Sequence, residues 1–148
     1  MRIALGADHA GVLLKERLKA RLDARGIAYT DFGTTGTDSV DYPDFAEAVS
    51  KEVSSGAFDR GVLVCGTGIG MAIAANKVPG VRAAPVADEQ SAIISREHNN
   101  INVLALGARV TDTELATRLL DLFLDTPFAG ERHQRRVDKL SALDQVPR

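Results

Sequence analysis

The chain has 148 residues, a length that suits one domain able to bury its own apolar core. Its formal charge of −2 supplies no global attraction to nucleic acid or to an anionic membrane surface. The single cysteine excludes an intrachain disulfide.

Taken in chain order, the first apolar run, Arg2-Ile-Ala-Leu-Gly6, reads as a strand. It offers neither the basic and apolar regions of a signal peptide nor a membrane span, so a cytoplasmic protein is expected. A helix follows over roughly His9–Arg25: Val12, Leu14, Leu18 and Leu22 recur near helical spacing, opposite Lys15, Arg17, Lys19 and Arg21, and Gly26 suits a C-cap. Ile27–Phe32 is a second strand and Phe45–Ser54 a second helix. Gly61–Cys65 is an apolar third strand that runs into the glycine-rich turn Gly66–Gly70, and Met71–Lys77 reads as the helix beyond it. Strand Val81–Val86, helix Gln90–His98, strand Asn102–Leu106 and helix Asp112–Leu124 complete the alternation. A last helix spans Gly130–Leu143 after the break at Pro127. With no repeat, linker or low-complexity segment, this βαβ series predicts a single domain over residues 1–148. Its architecture is a three-layer, Rossmann-like α/β/α sandwich on a mainly parallel five-stranded sheet.

In such sheets ligands bind outside the carboxyl ends of the strands. Polar residues crowd there: Asp8 and His9 after the first strand, Cys65 and the glycines after the third, Gly107-Ala-Arg109 after the fifth. One composite pocket is predicted, although Asp8 by itself suits a plain helix N-cap equally well.

The glycine turn has several possible meanings. A P-loop closes its glycines with Lys-Ser or Lys-Thr, a dinucleotide site needs Gly-x-Gly-x-x-Gly, and Gly66-Thr-Gly68-Ile-Gly70-Met71 has neither. A cysteine phosphatase loop requires an arginine where Met71 stands. What remains is a thiol beside backbone N–H groups at a helix start, which suits proton abstraction next to a carbonyl: the amides hold the developing enolate and Cys65 acts as base. Without other context, a buried and inert cysteine is the commoner meaning of such a position.

Two further clusters carry chemistry. His98 and Asn99, in Arg96-Glu-His98-Asn99-Asn100, combine an acid/base group with an amide for sugar hydroxyls, or else His98 merely satisfies a helix C-terminus. Arg132 and Arg136, four residues apart on one helix face, suit a shared phosphate; a solvated basic surface is the ordinary alternative. Neither His9, His98 nor His133 has a second ligand at metal-binding spacing, so the preferred mechanism uses no metal and no cofactor.

Seven segments together carry a family resemblance: Gly6-Ala-Asp8-His9-Ala-Gly11, Asp41-Tyr42-Pro43, Cys65-Gly-Thr-Gly-Ile-Gly70, Ala74-Ala-Asn76-Lys77, Arg96-Glu-His98-Asn99, Gly107-Ala-Arg109 and Arg132-His-Gln-Arg-Arg136. In this order and spacing they resemble the ribose-5-phosphate isomerase B family, which includes allose- and galactose-6-phosphate isomerases. The resemblance implies aldose–ketose isomerisation of a sugar phosphate through a cis-enediol. By it, Cys65 matches the catalytic base and Thr67 its helper, and Gly66, Gly68, Ile69 and Gly70 match the anion hole. His98 resembles the ring opener, with Asp8 assisting. Asn99 and Tyr42 match sugar contacts, and His9, Arg109, Arg132, His133 and Arg136 the phosphate-binding set. One branch of the family replaces the cysteine by a glutamate in the slot of Met71, so this chain resembles the cysteine-dependent branch. Family members are dimers or tetramers with sites shared between subunits, which implies a homodimer or homotetramer here in which some of these residues act in trans.

The segment Ala84-Pro-Val-Ala-Asp-Glu89 departs from the family's aromatic at the following helix start and leaves the sugar open. Ribose 5-phosphate leads, with allose 6-phosphate, galactose 6-phosphate or a tetrose phosphate as alternatives. A non-catalytic sugar-phosphate-binding subunit and a redox-sensing module are the readings from other classes.

Overall fold

A computed structural model describes residues 1–144 of the chain; the last four residues of the domain expected over 1–148 lie outside the described residues. Five strands, β1 (Arg2–Ala7), β2 (Ala28–Asp31), β3 (Arg60–Cys65), β4 (Ala83–Pro85) and β5 (Val103–Gly107), form one sheet in the order β2-β1-β3-β5-β4. Every neighbouring pair is parallel, so "mainly parallel" becomes wholly parallel among the described residues. Six helices accompany them: α1 (Val12–Ala24), α2 (Tyr42–Ser54), α3 (Ile69–Ala75), α4 (Glu89–Glu97), α5 (Thr113–Asp125) and α6 (Arg132–Leu143).

The central strands are apolar almost throughout because both faces of a parallel sheet are covered. Ile3, Leu5, Val62, Val64, Leu104 and Leu106 point to one face, where Leu14, Leu18 and Leu22 of α1 and Leu119, Leu120 and Phe123 of α5 enclose them. Ala4, Leu63, Val103 and Ala105 point to the other, under Val49 of α2 and Met71 and Ala75 of α3. Strands β1 and β3 thus send their following helices to opposite faces. That divergence opens a crevice between their carboxyl ends, the place where open α/β sheets bind ligands.

Helix starts differ from the expected ones for local reasons. The long first helix is preceded by a separate 3₁₀ turn, His9–Gly11, because Asp8 Oδ1 accepts from the N–H groups of Ala10 (3.0 Å) and Gly11 (3.2 Å). Helix α2 starts three residues early, with Pro43 in its first turn, where a missing N–H costs nothing. Helix α3 begins at Ile69 rather than Met71, directly after Gly68 at φ +82°. Helix α6 begins at Arg132, two residues late, since Gly130 and Glu131 both hold positive φ.

Lys15, read from the sequence as part of an exposed basic face, is fully buried. Its ammonium donates to Asp31 Oδ1 at 2.6 Å and to the Thr34 carbonyl at 2.5 Å, so the buried charge finds an opposite charge and a dipole at the exit of β2. Burial pushes the Asp31 carboxyl up, but hydrogen bonds from Lys15, the Gly33 amide and Lys19 outweigh it and hold the group below its ordinary value. A carboxyl lowered by folding stabilises above its unfolded pKa and loses that contribution as pH falls through the folded one. Lys15→Met, which leaves the Asp31 carboxylate only Lys19 and the Gly33 amide, should therefore cost about 2 kcal/mol at pH 7. The deficit should shrink as pH falls below the ordinary aspartate value of 3.8. Urea melts of both proteins at pH 7 and pH 3 measure the difference.

Candidate active site

Strand β3 ends at Cys65, paired with Gly107 at the end of β5. The ladder does not stop there. Ala108 N–H donates to the Cys65 carbonyl at 2.8 Å and Arg109 N–H to the Gly66 carbonyl at 2.9 Å, so the exit of β5 holds the start of the glycine turn. A Cβ at Gly107 would lie 2.6–2.7 Å from the backbone C, Cα and O of Thr67. Only a residue without a side chain permits that approach.

Within the turn, Gly68 N–H donates to Cys65 Sγ at 3.1 Å and Ile69 N–H to Thr67 Oγ1 at 3.3 Å. These amides are engaged by the loop's own thiol and hydroxyl. They are thereby aimed at the two groups that would handle a proton. Cys65 is buried, with 5% of its surface accessible, while Thr67 and Ile69 are exposed. A strand-end cysteine in contact with a turn amide combines the inert and the reactive environments.

Several of the candidate residues surround this turn. The Arg109 side chain lies over Gly66, with Nη1 3.2 Å from where a Cβ would stand. Tyr42, at the start of α2, lays its ring over Gly70, where a Cβ would meet Cε1 and Cζ at 2.6 Å. Asp8 N–H donates to the Val64 carbonyl at 3.1 Å, which ties the exit of β1 to the end of β3. Its Oδ1 serves as the cap already described, the plain role that the sequence allowed. His9 accepts the Val40 N–H at Nδ1 (3.2 Å), so the neutral ring carries its proton on Nε2 and keeps that edge as a donor.

The remaining candidates are not brought to this place. Helix α4 runs back antiparallel to the strands, so His98, its C-cap, and Asn99 sit before β5 begins, at the amino end of the sheet. Val103 to Gly107 spans about 13 Å at the usual strand rise. Single-chain geometry therefore separates His98 and Asn99 from Cys65, while the pocket expected from Asp8, His9, Cys65 and Arg109 gathers at the carboxyl ends.

At that far end the His98 and His133 rings stack, with centroids 4.1 Å apart and planes 14° apart. Arg132 and Arg136 flank His133 on the first turns of α6. The His133 imidazolium is disfavoured first by burial, then by His98, Arg132 and Arg136, and its pKa is lowered. Glu131 offsets this only in part, and a surplus of positive charge is the electrostatic form of an anion site. Asn99 borders a cavity of about 390 Å³ between β4 and α6, together with Arg82, Ile101 and Leu140.

Two residues with a part in this geometry had only weak signals in the sequence. Gly107 carries nothing but its smallness, which becomes informative once Thr67 is seen against it. Arg96 enters the sequence only as the first residue of the His98 segment, in the last turn of α4, yet it is buried, with 5% of its surface accessible.

The family model described as Ribose/Galactose Isomerase matches residues 3–140. The chain is 44% identical to the ribose-5-phosphate isomerase B of Escherichia coli over 97% of both sequences. Its fold superposes on the ribose-5-phosphate isomerase B of Clostridium thermocellum with a TM-score of 0.96, at 48% identity and 98% coverage of each chain. The Mycoplasma genitalium enzyme with bound ribulose-5-phosphate gives a TM-score of 0.95 at 38% identity, covering 99% of this chain and 97% of that one.

The contact of Gly107 with Thr67 makes a direct prediction. Gly107→Ala should destabilise the protein by about 2–3 kcal/mol, whereas Gly36→Ala, with no neighbour within 4 Å of its Cβ, should stay within about 0.5 kcal/mol of wild type. Urea melts test the stability, and hydrogen exchange at the Gly68 and Ile69 amides should quicken in G107A alone.

Proposed function

Because the chain belongs to the ribose/galactose isomerase family, we propose that it interconverts the aldose and ketose forms of a sugar phosphate, ribose 5-phosphate foremost, with Cys65 as the base that moves the proton between C1 and C2. The observation that carries this reading is the thiol at the end of β3, under the Gly68 amide, in the crevice where β1 and β3 diverge. Cys65 Sγ removes the proton from the carbon beside the carbonyl, and negative charge moves onto the carbonyl oxygen. The amides of Gly66 and Gly70 stabilise that oxygen in the enediolate, joined by those of Gly68 and Ile69 as the thiol and hydroxyl they now hold turn to the substrate, a role they perform best in a site closed to water. Thr67 Oγ1 passes a proton between the two oxygens. Cys65 then returns its proton to the neighbouring carbon, which completes the isomerisation without net redox change.

A cyclic aldose phosphate has no carbonyl to enolise until its ring opens. His98 performs that step, removing the proton of the anomeric hydroxyl and returning one to the ring oxygen. Asn99 and Tyr42 hold the sugar hydroxyls. His9, Arg109, Arg132, His133 and Arg136 hold the phosphate, consistent with the lowered His133 pKa among cations. Asp8 supports the turn that carries His9 and assists the ring step.

The separation along the sheet bears on assembly. A complete site needs the Cys65 turn of one chain and the His98–His133 group of another, so the working unit is a homo-oligomer with sites made in trans, a dimer at the least. The arrangement also accounts for the exposed apolar side chains Ile69 and Ile73 on α3, next to the turn.

Two measurements test this. Cys65→Ala should lower turnover of ribose 5-phosphate by roughly three orders of magnitude or more while leaving affinity for a phosphorylated sugar acid nearly unchanged. An unaltered rate, with chelator present, removes Cys65 from the chemistry. Mixing C65A and H98A chains by co-refolding should restore about a quarter of wild-type activity, above the residual rate of either variant alone, since half of the random dimers are hybrids with one intact site each. Sites made within one chain would give no more than the mean of the two variants.

A further inference from the structure

The least expected buried group at the amino end of the sheet is Arg96. Its Nε donates to the Thr126 carbonyl at 3.1 Å, and Nη1 donates to Asn100 Oδ1 at 2.8 Å and to the Ile101 carbonyl at 2.6 Å. The charges that act on it are those of Arg60 and Arg82, both repulsive. Burial first, and then these two cations, push its pKa down to about 10. Keeping a cation there is costly, and a neutral residue would pack at lower cost.

What the guanidinium joins is informative. Asn100 and Ile101 belong to the turn that follows His98 and Asn99, and Asn100 holds a left-handed φ of +47°. Thr126 caps the C-terminal end of α5 and opens the connection to α6, the helix of Arg132, His133 and Arg136. The same two segments meet again where Ala129 N–H donates to the Glu97 carbonyl at 3.1 Å. From the other side, Arg82 Nε donates to the Asn100 carbonyl at 2.8 Å. A planar fork with donors at fixed angles holds two segments in one relative orientation, which a flexible ammonium does less well.

We propose that Arg96 is a positioning residue: it locks the 98–101 turn to the start of the α5–α6 connection and so sets the His98 ring against His133 for ring opening. This rests on the reading of His98 as the ring opener. Arg60 is the natural control. It donates to the Phe123 and Leu124 carbonyls at the same end of α5, but it does not reach the 98–101 turn.

The test compares Arg96→Met, Arg60→Met and His98→Ala in the full chain through two reactions. One is conversion of ribose 5-phosphate, which must first leave its ring. The other is deuterium uptake at C1 of ribulose 5-phosphate in D2O, which starts from an open-chain ketose and needs the base without the ring step. R96M and H98A should each lose about tenfold to a hundredfold in ribose conversion but less than about threefold in deuterium uptake. R60M should melt lower and leave the ratio of the two rates unchanged. A normal ratio in R96M beside a lowered ratio in H98A overturns the inference. A normal ratio in H98A overturns the ring-opening reading itself. Should R96M not fold, Asn100→Gly, which keeps the left-handed turn and removes one acceptor of Arg96, decides by the same ratio.

Discussion

The pairing of β3 with β5 is the interaction on which the rest of the molecule depends. It forms the centre of the sheet, and it continues past the strand ends as the hydrogen bonds from Ala108 and Arg109 to the carbonyls of Cys65 and Gly66. A backbone ladder is well suited to this because its spacing is fixed by peptide geometry rather than by side-chain rotamers. The turn that carries the thiol is thus shaped by a strand nearly forty residues further along the chain. Gly107 is the point where that shaping is closest, since Thr67 rests directly on its Cα.

The same parallel sheet has a polarity, and that polarity divides the chemistry. Residues that follow strands arrive at the carboxyl ends, and residues that end helices arrive at the amino ends. Asp8, His9, Cys65, Thr67 and Arg109 belong to the first kind; His98 and Asn99 belong to the second. The proposed ring opener and the proposed carbon base, placed in this way, do not reach one sugar molecule within one chain. Assembly then becomes part of the proposed mechanism rather than an addition to it.

Two buried cations illustrate how such a frame is stiffened. Lys15 is offset by the nearby Asp31 carboxylate, and Asp31 responds with a lowered pKa. Arg96 is met by carbonyl and amide oxygens alone, and here it is the arginine whose pKa falls. The difference follows from the partner: a carboxylate shares the electrostatic cost of burial, while dipoles leave most of it on the cation. Each cation lies behind one half of the proposed site, Lys15 near the loop that leads to Val40 and His9, Arg96 behind His98.

Much of this protein follows from its sequence by short-range rules. Alternating strand and helix patterns, with glycines and an aspartate at their joints, determined the α/β sandwich, and the family motifs determined which residues to watch. Element starts were less legible, because the Asp8 cap and the positive φ of Gly130 and Glu131 are local backbone features that hydrophobic periodicity does not register. The burial of Lys15 and Arg96 was not legible, since helical periodicity assigns a face but does not reveal an acceptor that arrives from elsewhere in the chain. Only the tertiary structure decided that Cys65 and His98 stand at opposite ends of the sheet. Proximity in a motif list carries no direction, whereas a parallel strand does.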